Sequence, residues 1–205
     1  MRKELFKFSI KDITEIAVMV ALAIVLDKFV KIQVGANGGS INIATVPLFI
    51  IAFRHGWFKG LIASGIIFGL TTNLLDGYGI NTYPFEYFIA FGSVAIGGLF
   101  GKMIFDDFKE EKFSKKSLSI ALVILSVAIH FVIRLTFATF DSMIFYETDF
   151  VGGLLYNLSY VGPSCLAVLV VLAVLYPALQ SINTMYPTPL LKSKNVDIKE
   201  EEEEY

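Results

Sequence analysis

Apolar residues gather in six runs, at roughly 12–32, 41–54, 57–75, 84–105, 117–140 and 150–179, with short polar connectors between them. A helix crossing the hydrocarbon core of a bilayer takes about 20 residues. The pattern therefore predicts an all-α membrane protein, a six-transmembrane-helix bundle. The run 41–54 is short, so it borrows from residues 36–40 or is partly irregular. The run 150–179 is long, and Pro177 is expected to end or kink it.

The connectors differ in charge. Arg2, Lys3, Lys7 and Lys11 precede the first run. Arg54 and Lys59 lie between the second and third, and Lys102, Lys109, Lys112, Lys115 and Lys116 between the fourth and fifth. Lys192, Lys194 and Lys199 follow the sixth. The opposite connectors hold only Lys28 and Lys31, and Arg134 stands inside a run. Positive charge marks cytoplasmic loops. This predicts a multi-pass protein of the cell (plasma) membrane, surrounded by lipid, with both termini cytoplasmic. The first run lacks a small-residue cleavage site and is read as a retained helix. The domain expected is 1–186, followed by a disordered acidic cytoplasmic tail at 187–205, since a run of like charge repels itself.

Composition agrees. The chain of 205 residues is 55% hydrophobic, and its mean hydropathy is +0.66. Charged residues make up 18%, below the roughly 25% of soluble domains. The single cysteine, Cys165, cannot form a disulfide within the chain and is read as a packing residue. No nucleophile elbow, His-Glu-x-x-His or phosphate-binding glycine loop occurs. No enzyme activity, cofactor or metal is expected, and ATP-driven transport would need partner subunits.

Ionisable side chains at membrane depth are costly and mark function. Charge alternation places Glu86 just inside the outer end of the fourth run. It places His130 and Arg134 in the outer half of the fifth, one turn apart on one helix face. Tyr156, Asn157 and Tyr160 fall at similar depth in the sixth, and Thr72 and Asn73 in the third. The inner halves are almost wholly apolar. A through-pore would be polar along its length, so a pocket open to the outside is expected. A Glu86–Arg134 pair that merely locks two helices is the competing reading, as is a His130 that is simply hydrogen-bonded core. Ala17, Ala21 and Ala23 give the first helix a small-residue step suited to close helix contact. Gly60, Gly65, Gly69, Gly92, Gly97, Gly98 and Gly101 suggest tight packing of the third run on the fourth.

Three segments carry a family resemblance. They are Ile43-Ala-Thr-Val-Pro-Leu-Phe-Ile-Ile-Ala-Phe-Arg-His-Gly56, Lys59-Gly-Leu-Ile-Ala-Ser-Gly-Ile-Ile-Phe-Gly-Leu70, and Phe85-Glu-Tyr-Phe-Ile-Ala-Phe91 with Gly97-Gly-Leu-Phe-Gly101. His130-Phe131, Leu155-Tyr156, Tyr160 and Gly162 extend it. Over residues 13–180 the chain resembles the substrate-binding S-components of energy-coupling factor (ECF) vitamin transporters, the thiamine-specific ones most closely. The resemblance implies a six-helix vitamin-binding bundle that works with a transmembrane coupling subunit and two ATPase subunits. It implies that Ala17 and Ala21 face the coupling subunit. It implies that Glu86, Tyr87, His130 and Tyr156 line the substrate pocket.

Departures from that pattern bear on the ligand. The thiamine-specific pattern stacks its ligand on tryptophans, whereas the only one here is Trp57, at the opposite end of the bundle. The position eight after His130 is Ala138. Arg134 stands where a small residue is expected, and Val161 where an Asn is expected, unless Asn157 substitutes. Phe137, Phe140 and Tyr83 are the aromatic candidates to replace the lost stacking. Arginine suits a carboxylate or phosphate. Two ligands are therefore carried forward: thiamine or a close relative, and an anionic vitamin or phosphorylated precursor held by Arg134. An intramembrane enzyme using Glu86 and His130 is the remote third.

Overall fold

A computed structural model describes residues 5–34, 39–106, 113–188, 190 and 191. Its helices are α1 (Ile10–Phe29), α2 (Thr45–His55), α3 (Trp57–Asp76), α4 (83–106), α5 (Phe113–Phe145) and α6 (Phe150–Met185). The acidic end of the tail and most of the connector 106–116 lie outside the described residues.

Among the described residues, three helices are long and apolar enough to cross a membrane: α3, α6, and α5 from Ser117 onward. Helix α2 is apolar but has only 11 residues. Helix α1 has 20 residues, but charges stand near both of its ends: Asp12 and Glu15 at one, Asp27 and Lys28 at the other. Each of them has a partner. Ser9 caps the helix reciprocally: its Oγ accepts from the Asp12 amide at 3.1 Å, and Asp12 Oδ2 accepts from the Ser9 amide at 3.1 Å. This satisfies donors that every helix start leaves open.

The segment between α1 and α2 is a correction to the sequence reading. The first run was expected to stay helical to 32, followed by a loop at 33–40 and a second helix from 41. Instead Lys31–Gln33 pairs antiparallel with Ser40–Asn42, with Ile32 opposite Ile41, and α2 begins at Thr45. Short apolar runs do not distinguish strand from helix by periodicity. Ser164 Oγ of α6 anchors the second strand by accepting from the Asn42 amide at 3.2 Å.

Helix α4 changes its winding along its length. Tyr83–Ile89 is π-helical, Ala90–Gly92 α-helical, Ser93–Leu99 3-10 helical and Gly101–Asp106 α-helical. The tight 3-10 stretch lies against α2 and α3. Small residues allow that approach. A Cβ on Gly98 would run into the Trp57 backbone, and one on Gly101 into the Phe53 carbonyl. On Gly65 it would sit 3.2 Å from the Phe88 carbonyl oxygen and 3.3 Å from the Gly92 Cα. The expected packing of the third run on the fourth is therefore present, and it extends to α2. Gly98→Ala should cost about 1–3 kcal/mol, because backbone cannot yield as a side chain can. A lower unfolding midpoint in detergent is the check, and an unchanged midpoint would contradict the close approach.

Helix α6 runs unbroken through both Pro163 and Pro177 to Met185, so Pro177 does not end it. It packs most extensively on α5. Cys165 is buried, as a packing residue should be.

The end of the bundle opposite the Asp27–Asp76 end differs from expectation. Arg54 and Lys59, expected as connector charges, are each 3% exposed. Lys59 Nζ donates to Asp12 Oδ2 at 2.8 Å, and Arg54 forms a two-pronged pair with Glu15. His55 lies between the two acids, with Nδ1 3.3 Å from Asp12 and Nε2 3.3 Å from Glu15. Thr188 donates to the Arg54 carbonyl at 2.6 Å, and Leu191 is buried, so packing continues past residue 186. Buried charges persist where they are paired, and this network ties α1 to the α2–α3 corner.

A candidate ligand cavity at one end of the bundle

The bundle holds a cavity of about 450 Å³ at the end where α1 stops and α6 begins. Small-molecule sites span about 300–1,000 Å³. Of the residues singled out in the sequence, Glu86, Tyr87, Arg134, Tyr156, Tyr160 and Asn157 line it. Three helices, α4, α5 and α6, supply these side chains at one end of the bundle.

Their roles differ. Glu86 sits in the π-helical stretch, which begins at Tyr83 with Pro84 in its first turn and presents it to the cavity. Tyr87 is buried, and its hydroxyl donates to Asp76 Oδ2 at 3.0 Å. Tyr156 OH accepts from the Gly39 amide at 3.0 Å, closing the strand pair over the cavity wall. The Asn157 amide is committed within the protein. Its Nδ2 donates to Ser142 Oγ at 2.9 Å and to the Gly153 carbonyl at 2.8 Å, and its Oδ1 accepts from Tyr160 OH. Arg134 is 4% exposed and lies over the Phe91 ring, Cζ 4.8 Å from the centroid. Its Nε has no partner, and among the described residues no ion pair joins it to Glu86. The helix-locking Glu86–Arg134 pair is therefore not formed.

His130 is buried but does not line the cavity. Its Nδ1 is 2.7 Å from Ser93 Oγ, and its ring meets Phe49 edge-on. Thr72 and Asn73 stand outside it as well. Thr72 bonds back to the Phe68 carbonyl, and Asn73 Nδ2 donates to the Gly79 carbonyl and Thr82 Oγ1, holding the turn into α4. None of the three aromatic replacements reaches the wall. Phe137 stacks on Phe85 and meets Phe140, while Tyr83 OH donates to the Gly65 carbonyl. The aromatic residues that do line it are Phe91 and five tyrosines: Tyr78, Tyr87, Tyr146, Tyr156 and Tyr160.

Sequence reasoning missed the acids. Asp27, Asp76 and Asp141 also line the cavity, with Glu147 and Asp149 from the connector between α5 and α6. Lys28 bridges Asp27 at 3.0 Å and Asp76, and Asn42 Nδ2 donates to Asp27 at 3.1 Å. Asp27, Asp76 and Asp141 fall at run ends, where the pattern reads them as connector charges. Among the described residues, no group of His, Cys, Asp and Glu side chains is placed to hold a metal ion.

A helical membrane protein with an acid-rich, tyrosine-walled cavity at one end belongs to the class that takes up small polar ligands. Comparison with known proteins narrows the class. Residues 13–184 match the model of the family described as "Thiamine transporter protein (Thia_YuaJ)", and the chain belongs to that family. The family is one of transport proteins, not enzymes. The chain is 28% identical over 178 residues to the thiamine transporter ThiT of Bacillus subtilis (strain 168), covering 79% of this chain and 88% of that relative. It also resembles a solved structure of ThiT from Listeria monocytogenes, with a TM-score of 0.65 and 25% identity, covering 82% of this chain and 96% of the other.

Proposed function

We propose that the protein is the substrate-binding S-component of an ECF-type importer, capturing thiamine at the outer face of the plasma membrane. In this reading six spans cross the membrane and both termini are cytoplasmic. A transmembrane coupling subunit and two ATPase subunits supply the energy. The observation that carries the reading is the cavity: its negative charge suits a cationic vitamin, and it sits at the end that charge alternation assigns to the outside. Family membership supports the substrate.

Glu86, Tyr87, Arg134, Tyr156 and Asn157 are the proposed binding residues. Glu86 and Arg134 present polar groups to the ligand, Tyr87 and Tyr156 shape the wall, and Asn157 holds Tyr160 and α5 in place. His130 acts from behind the wall through Ser93. Exposed on α1, Ala17 and Ala21 form the proposed contact with the coupling subunit.

Purified protein should gain thermal stability, and its tyrosine fluorescence should change, on addition of thiamine. Glu86→Gln should weaken binding by about 10–100-fold, the weight of a hydrogen bond to a charged group. A protein that ignores thiamine would sink the reading. Arg134, buried without an ion-pair partner, favours a second one: an anionic vitamin or phosphorylated precursor in the same architecture. A stability gain with such a ligand and none with thiamine, abolished in Arg134→Ala, would select it.

A further inference from the structure

Acids outnumber bases in the cavity. Asp27 and Asp76 are engaged by protein groups: Lys28 lies between them, Asn42 donates to one and Tyr87 to the other. Glu147 and Asp149 belong to the connector between α5 and α6. That leaves Glu86 and Asp141, two acids facing one base, Arg134.

Asp141 is the less solvent-exposed of these acids. It is 4% exposed, and among the described residues it takes part in no hydrogen bond or ion pair; its Oδ1 is fully enclosed without a partner. Three donors close to it in sequence or on the facing helix are committed elsewhere. Ser142 Oγ donates to the Ala138 carbonyl, Thr139 Oγ1 to the Leu135 carbonyl, and Asn157 Nδ2 to Ser142 and Gly153. A buried carboxylate with no partner costs several kcal/mol, so an unpaired one that faces a cavity calls for a ligand charge. Asp141 follows Arg134 by seven residues, two turns along the same face of α5. The face of Phe91, the one phenylalanine on the cavity wall among the described residues, is already covered by the Arg134 guanidinium. Stacking on it cannot offset a ligand cation.

We propose that Asp141 is the counter-ion for a permanently cationic ring of the ligand, and that it sets the preference of this cavity for a charged over a neutral ring. The proposal rests on the thiamine reading above, since the thiazolium of thiamine is such a ring. That ring carries no N–H to donate, so the contact is one of charge. An amide of the same shape keeps the fit and loses the attraction.

The test measures binding of thiamine, and of its neutral thiophene isostere, to wild type, Asp141→Asn and Asp141→Glu. Wild type should prefer thiamine by about 10–100-fold, the range expected for one charge contact out of water. Asp141→Asn should lose most of that preference while holding the isostere within about threefold of wild type. Asp141→Glu should retain the preference. A loss that is equal for both ligands, or an unchanged ratio, overturns the assignment of Asp141. Wild type that binds neither compound overturns the thiamine reading itself.

Discussion

Lys59→Met should lower the stability of the ligand-free protein by about 3–5 kcal/mol, the penalty for stranding a buried partner charge. For a chain of this size that is a drop of about 10 °C in unfolding midpoint. Lys59 and Asp12 are each 3% exposed as side chains and 2.8 Å apart. Methionine nearly matches the lysine in volume, so packing changes little. What changes is Asp12, which keeps the Ser9 amide but loses its only ammonium donor. Solvent cannot substitute at that depth. The companion Asp12→Asn/Lys59→Met removes both charges, and should recover a large part of the loss, because the remaining cost was the unpaired carboxylate. Thermal unfolding in detergent is the measurement. If Lys59→Met melts with wild type, the network is solvated in the membrane protein and its structural role fails.

That network also shows what an apolar pattern can and cannot express. Hydropathy averages over a window, so it locates α3, α5 and α6 and the polarity of their ends. It is blind to whether a charge at a helix end meets water or another side chain. Arg54 and Lys59 therefore served as orientation markers, although both are buried against α1. The same blindness hid Asp27, Asp76 and Asp141, which lie at helix ends yet line the cavity. The strand pair escaped for a different reason. Its partners, 31–33 and 40–42, are three residues each, too short for a period to register.

The site was legible in depth but not in direction. Charge alternation set Glu86, Arg134, Tyr156 and Asn157 at one level in three helices, and all four line the cavity. Direction needs the rotation of each helix. His130 and Arg134 are four residues apart, about 40° around the axis. That is enough for the long arginine to reach the cavity while the shorter imidazole turns to Ser93 and Phe49. The π-helical turn carrying Glu86 and the 3-10 stretch behind it shift side chains off the 3.6-residue repeat. No periodicity argument anticipates such shifts.

Ala17→Trp or Ala21→Trp should reduce thiamine uptake by cells to background while leaving the purified protein's affinity within about twofold, the scatter of distant independent sites. Helix α1 has two faces. Ile16, Val20 and Ala23 are buried against the bundle, whereas Ala17, Val18, Ala21, Leu22 and Val25 are exposed. Of the three alanines in this helix, Ala23 is thus a core residue, and only the Ala17–Ala21 step is open. In lipid, an exposed apolar face gains little by meeting another apolar surface. Association there depends on close packing and backbone approach at small residues. An indole on that step props a partner helix away by several ångströms, yet it projects into lipid in the isolated subunit and disturbs nothing inside. Neither alanine lines the cavity, so binding is untouched. Separating uptake from affinity is the discriminating readout. A folding defect lowers both, and a face that merely contacts lipid lowers neither. Wild-type uptake by both variants would remove α1 as the coupling surface. Uptake lost together with binding would show that α1 serves the cavity instead, through Asp27 and Lys28 at its far end.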